Sequence, residues 1–142
     1  MPIFLTGVGT NLKVQYGGTD LTSFVRAVTI NYEYDDVDIT AAGATAKAHL
    51  PGLRDDSIDI EFYQGYGTTE VDQTLNTYLG STTGATLVVQ SSSATVNSTN
   101  PKWSMLGTPF TYNPMDGNVG DASTTKVTFK PVAGQAITRG TV

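Results

Sequence analysis

Asp35, Asp36 and Asp38 form the densest acidic cluster in the chain, and carboxylates this close invite a hard cation held by oxygen ligands. The spacing does not fit a helix-loop-helix calcium loop. Such a loop takes ligands at its first, third and fifth positions, a glycine at the sixth and a closing glutamate; here Val37 and Ile39 intervene and neither residue follows in register. A solvated acidic edge accounts for the cluster. Asp116-Gly117-Asn118 with Asp121 is a second acidic group, and a hairpin turn explains it. His49 is the single histidine. With no Gly-x-Ser-x-Gly elbow or other nucleophile motif beside it, it reads as a surface or interface residue. Cysteine is absent, which removes thiol nucleophiles and thiolate metal sites. Gly7-Val8-Gly9 resembles the start of a phosphate-binding loop, but no helix-forming segment follows, so it is a connector. Trp103, Tyr63 and Tyr66 leave open a carbohydrate-binding or adhesive reading through stacking on sugar rings. No catalytic residue, cofactor or metal site is assigned, and the chain reads as non-enzymatic.

The elements that would position these residues are mostly strands. Val28, Ile30, Tyr32 and Tyr34 fall on one side of an extended chain, with Thr29, Asn31 and Glu33 on the other. The pattern returns at Ile58, Ile60 and Phe62 against Ser57, Asp59 and Glu61, bounded by Pro51-Gly52 and Gly65. Both are half-buried strands with one apolar and one polar, acid-bearing face. Between them, Thr40 to Leu50 is rich in alanine and glycine and poor in bulky apolar residues, which predicts a long mobile loop that a neighbouring molecule would order.

Elsewhere, Ile3 to Leu5 and Asn11 to Tyr16 are short strand candidates, Gly17-Gly18-Thr19-Asp20 is a turn, and residues 20–25 suit one turn of helix. Thr69 to Leu79 predicts the one amphipathic helix. Val71, Leu75 and Leu79 recur every four residues, Thr68 or Thr69 caps the start, Glu70 and Asp72 suit the positive end of the dipole, and Gly80 stops it. Strands follow at Ala85 to Gln90, Lys102 to Tyr112 and Ser123 to Lys130, with a short edge strand near Ile137 to Gly140. The reading is a mainly β fold: a sandwich or barrel of antiparallel strands, one flanking helix and a long interface loop. Residues 1–142 form a single domain, with arms expected at 1–18 and 131–142.

Composition narrows the function. The net charge of −5 repels nucleic acid, which argues against a sequence-reading DNA binder. Only 15% of residues are charged, below the usual ~25%, so little charge keeps copies apart and the surface suits a subunit packed against its neighbours. Met1 to Val8 lacks a basic start and an apolar run, and no stretch nears the ~18 apolar residues of a membrane span, so cytoplasmic synthesis without membrane insertion is expected. Asn97-Ser98-Thr99 is then a chance glycosylation pattern in a polar loop.

Several stretches carry a family resemblance: Gly18-Thr19-Asp20-Leu21, Val25-Arg26-Ala27-Val28-Thr29, Val37-Asp38-Ile39-Thr40-Ala41-Ala42-Gly43, Pro51-Gly52-Leu53-Arg54-Asp55 and Ser57-Ile58-Asp59-Ile60-Glu61-Phe62. With Asn100-Pro101-Lys102, Gly120-Asp121 and Thr124-Thr125-Lys126-Val127-Thr128, the chain resembles the tail tube (major tail) proteins of long-tailed bacteriophages. The resemblance implies a virion protein whose copies form stacked, hexameric rings, with other tail proteins at the tube ends and double-stranded DNA passing through the bore without sequence-specific binding. It also implies that Asp59 and Glu61, with Glu33, face the lumen, and that the loop bearing Thr40, Gly43, Lys47 and His49 contacts the next ring. An outward, solvent-facing orientation of the same acidic face stays open, as does a head decoration role.

Overall fold

The structure, a computed structural model, describes residues 12–142. In chain order these form β1 (Lys13–Tyr16), β2 (Thr19–Asp20), β3 (Val25–Asn31), β4 (Tyr34–Asp38), β5 (His49–Arg54), β6 (Ser57–Tyr63), α1 (Val71–Tyr78), β7 (Ala85–Gln90), β8 (Lys102–Thr111), β9 (Thr124–Pro131) and β10 (Thr138–Gly140). Among the described residues one antiparallel sheet runs β2-β1-β7-β8-β9-β6-β3, with β10 beside β8, while β4 and β5 pair only with each other. The predicted mainly β architecture with a single flanking helix is the one observed among the described residues.

The long strand β8 makes the sheet curl. Lys102 to Gly107 pairs with β7 along one edge; along the other edge, Gly107 to Thr111 pairs with β9 and Lys102 to Ser104 with β10. Three inter-strand steps separate β1 from β9, about 14 Å in a flat sheet. Yet the Tyr16 and Phe129 ring centroids lie 4.9 Å apart, so the two halves fold over a shared core. That core takes the inward residues of each strand: Val14 and Tyr16, Ile58, Ile60 and Phe62, Leu87 and Val89, Val127 and Phe129. Each such side chain, fully buried, stabilises the fold by about 1.5–3 kcal/mol. Close approach at the curl requires glycine. Gly84 adopts φ +61°, and a Cβ there would stand 2.5 Å from the Gly107 carbonyl oxygen.

Helix α1 closes the open end by burying Val71, Thr74 and Leu75, and Tyr78 meets the Tyr16 ring edge-on at 5.2 Å. It is shorter than the spacing predicts. Thr69 does not cap it but takes a left-handed conformation (φ 64°); Glu70 is the capping residue, and its carboxylate accepts the Gly67 N–H at 2.8 Å. Leu79 lies past the last turn and stays exposed, because Gly80 (φ 74°) turns the chain away.

Neither predicted arm is an arm over the described residues. Lys13–Tyr16 is an interior strand with Val14 and Tyr16 fully buried, and the C-terminal stretch buries Ile137 and adds β10 to the sheet. The strand expected at Ile3 to Leu5, the connector Gly7-Val8-Gly9 and most of the N-terminal arm lie outside the described residues.

Tyr16 also links the fold to pH. Its hydroxyl donates to the Gly107 carbonyl at 2.9 Å, and burial, reinforced by the neighbouring Tyr78, pushes its pKa far above the usual phenol range. A folded-state pKa above the unfolded value means stability that is intact below pH ~10 and lost as pH rises beyond it. Thermal melts between pH 9 and 11.5 should therefore show a steep fall for the parent and a shallower one for Tyr16→Phe. The variant should start about 1 kcal/mol lower, because the Gly107 carbonyl loses its donor. Equal slopes would contradict the assignment.

Candidate functional site

Two surfaces stand apart from the core: the polar face of β3, β6 and β9, and the β4–β5 hairpin. On the first, alternation turns Asp59 and Glu61 outward, opposite the buried Ile58, Ile60 and Phe62. Register decides what surrounds them. Asp59 lies between Thr29 of β3 and Thr128 of β9, and Glu61 between Ala27 and Lys126. Asp59 accepts from Asn31 Nδ2 at 3.0 Å and from Thr128 Oγ1 at 2.8 Å. Arg26, displaced by a bulge in β3, reaches Glu61 at 2.8 Å, and Lys130 reaches Asp55 at 3.3 Å on the rim. Ala27, Thr29, Asp59, Glu61, Lys126 and Thr128 line a shallow depression of about 380 Å³. The face is therefore charge-balanced, not the acid-bearing wall that β6 alone suggests: each carboxylate is met by a cation or a neutral donor from a neighbouring strand.

Glu33 lies just past the end of β3. Strand β3 ends at Asn31, and Glu33 sits in the bend that follows, where its N–H donates to Asp56 Oδ1 at 3.3 Å and its carbonyl accepts from Asp55 N–H at 2.9 Å. The first strand thus stops short of Tyr34. Tyr32 and Tyr34 are about half exposed, and the Arg54 guanidinium lies over both rings at 5.2 and 5.5 Å.

The second surface corrects the predicted mobile loop. Residues 34–54 form a two-stranded hairpin, with Val37 opposite Leu50 and Asp38 opposite His49, so His49, Leu50 and the Pro51-Gly52 pair belong to a strand. Only 39–48 form the tip, and hydrogen bonds order it: Ile39 N–H to the Ala48 carbonyl (2.9 Å), Ala48 N–H to Thr40 Oγ1 (2.9 Å) and Thr40 N–H to Asp38 Oδ1 (2.9 Å). Those last bonds also explain the acidic cluster. Asp38 caps the tip, its carboxyl held below the usual range by the Thr40 side chain and N–H, and Asp36 stands 2.7 Å from His49 Nδ1. No cluster of three or more metal-ligating side chains occurs among the described residues.

Thr40, Gly43 and Lys47 lie at the tip and His49 on the adjoining strand; every residue from Tyr32 to Pro51 is exposed. Val37, Ile39 and Leu50 are among them, and Leu53, two residues on, is 80% exposed. A lone two-stranded hairpin is marginal in water, and among the described residues this one buries none of its bulky apolar side chains. Leu79 and Phe110, with Pro109, Pro131 and Val132, line a second apolar feature, a cleft of about 610 Å³ at the helix end. The aromatics proposed for sugar stacking do not form one platform. Trp103 packs partly buried between Val89 and Arg139, whereas Tyr63 ends β6 opposite Thr124 and Tyr66 donates to the Pro114 carbonyl at 2.6 Å.

The sequence matches no family model and no curated protein. Solved structures share the fold across nearly the whole chain. The SPP1 tail tube superposes with a TM-score of 0.72 at 11% identity, over 99% of this chain and 80% of its own. A chain from the C6-symmetric tail of the empty gene transfer agent particle gives 0.68 at 14% identity, over 92% and 97%. One from the sheath-tube complex of an extracellular contractile injection system in the extended state gives 0.65 at 11%, over 96% and 93%. Identities this low establish a shared fold.

Proposed function

We propose that this chain is a structural virion protein, the repeating subunit of a phage-type tail tube. The observation that carries the reading is the β4–β5 arm: a hairpin with four exposed apolar side chains, none buried by the described residues, needs another copy to shelter it. The fold shared with tube and tail structures supports the same assignment. In this reading six copies close into a ring, and the arm, through Thr40, Gly43, Lys47 and His49, reaches the next ring. Strand β3, paired on one edge only among the described residues, offers its other edge to the adjacent subunit. Other tail proteins terminate the tube.

The polar face of β3, β6 and β9 then lines the bore, with Asp59 and Glu61 toward passing double-stranded DNA. Phosphates are retained where cations are free to replace condensed counterions. A wall whose cations are matched by carboxylates on neighbouring strands, on a chain of net charge −5, has little to offer them. Glu33 belongs with the arm root instead.

Electron microscopy of the concentrated purified chain tests the reading. Six-fold rings or tubes are expected; a population of monomers or trimers at high concentration, the second suited to a head decoration role, would overturn it.

A further inference from the structure

Asp56 is the most deeply buried carboxylate among the described residues: its side chain has no exposure at all. Burying a carboxylate is costly unless charge and hydrogen bonds compensate, so the position demands an account. Its partners come from three separate stretches. Oδ1 accepts the Glu33 N–H at 3.3 Å, from the exit of β3. Oδ2 accepts the buried Ile137 N–H at 3.1 Å, from the segment ahead of β10, and pairs with the Arg54 guanidinium at the end of β5. Arg54 also donates to the Ile137 carbonyl at 3.3 Å while lying over Tyr32 and Tyr34. Both roots of the arm and the C-terminal segment thus converge on one carboxylate.

Among the described residues β4 and β5 hydrogen-bond to no other strand, so the arm depends on contacts at its roots. We infer that Asp56 is the positioning residue of the arm: it fixes the hairpin's direction relative to the sheet, with the segment around Ile137 as the strut. An apolar residue would fill the site but leave the Glu33 and Ile137 N–H groups buried without acceptors, and would release Arg54. The arm would then swing on its two connections. Its angle matters to assembly only if the tube reading holds, whereas the clamp concerns the single subunit.

The absence of cysteine makes the test direct, since two introduced thiols are the only ones present. Spin labels at Ala44→Cys on the arm tip and Thr86→Cys on the exposed side of β7, diluted with unlabelled chain, report the tip-to-body distance distribution. Asp56→Asn should widen it and lower amide protection at Ile137 about tenfold, with far-UV circular dichroism unchanged. Asp55→Asn, next door but on the surface, should do neither. If Asp56→Asn does not fold, Arg54→Gln keeps both N–H acceptors and removes only the guanidinium tie; it should widen the distribution. An unchanged width in either folded variant, or equal widening in Asp55→Asn, overturns the clamp. Parent protein that forms no tubes while Asp56→Asn still widens the distribution would overturn the tube assignment and leave the clamp standing.

Discussion

Excising residues 40–47 and joining Asp38-Ile39 to Ala48-His49 through an Asn-Gly turn is expected to abolish tubes while leaving a subunit that melts like the parent. The reason lies in what the tip touches. Residues 40–47 are all exposed and add nothing to the core around Phe62 and Phe129, so removing them changes stability by no more than about 0.5 kcal/mol. Assembly is another matter. In the proposed ring stack Thr40, Gly43 and Lys47 reach the next ring, so the excision removes that contact, and the loss recurs at every subunit of a polymer. The Asn-Gly turn preserves the hairpin's twist, so the shortened arm should still fold. Sedimentation velocity and negative-stain microscopy would read the loss of polymer, and differential scanning fluorimetry the retained melt. Tubes of normal length from the excised protein would remove the arm from the assembly interface.

Replacing Asp59 and Glu61 together with lysine is expected to turn a passive bore into one that holds DNA. Arg26 would lose its 2.8 Å partner and Lys126 its cross-strand carboxylate, so both would join two new cations on one face. The cost to the fold is small. Exposed pairs such as Arg26–Glu61 contribute about 0–1 kcal/mol, and lysines can extend into solvent from this side of the sheet. Binding should follow the salt law for phosphate neutralisation: a tube making 6–10 such contacts would lose roughly 10³–10⁵ in affinity between 50 and 200 mM salt. Nuclease protection reports the orientation. DNA retained by the variant tubes and shielded from nuclease places the face inside; DNA retained but digested places it outside and ends the lumen assignment. In virions, the same substitutions should slow ejection.

The strands of the body were legible because each has one buried face. Ser57–Tyr63 alternates cleanly, since burial on one side and water on the other imposes a period of two on the residues themselves. The glycine-rich turn after Tyr16 and the single helix were readable for equally local reasons: left-handed glycines at Gly17 and Gly18, and apolar residues every four positions. The arm was not. Its strands bury nothing against the body, so no alternation marks them; β4 is rich in aspartate, and Pro51-Gly52, which usually signals a turn, lies inside β5. Leu79 misled for a related reason: four-residue spacing places it on the helix's apolar side, but the helix ends before the spacing can act.

From residue order alone came the β-rich class, the helix, the outward placement of Asp59 and Glu61, and a surface too poor in charge for a solitary life. Tertiary structure alone decided that Arg26, Asn31, Lys126 and Thr128 surround those two acids, that the Glu33 backbone bonds at the arm root, and that Asp56 ties the arm to the C-terminal segment. The division has one physical cause. A strand's own sequence records which of its faces is dry, because burial acts on every second residue, whereas which strand lies beside it, and in what register, depends on residues as far apart as Asp59 and Thr128.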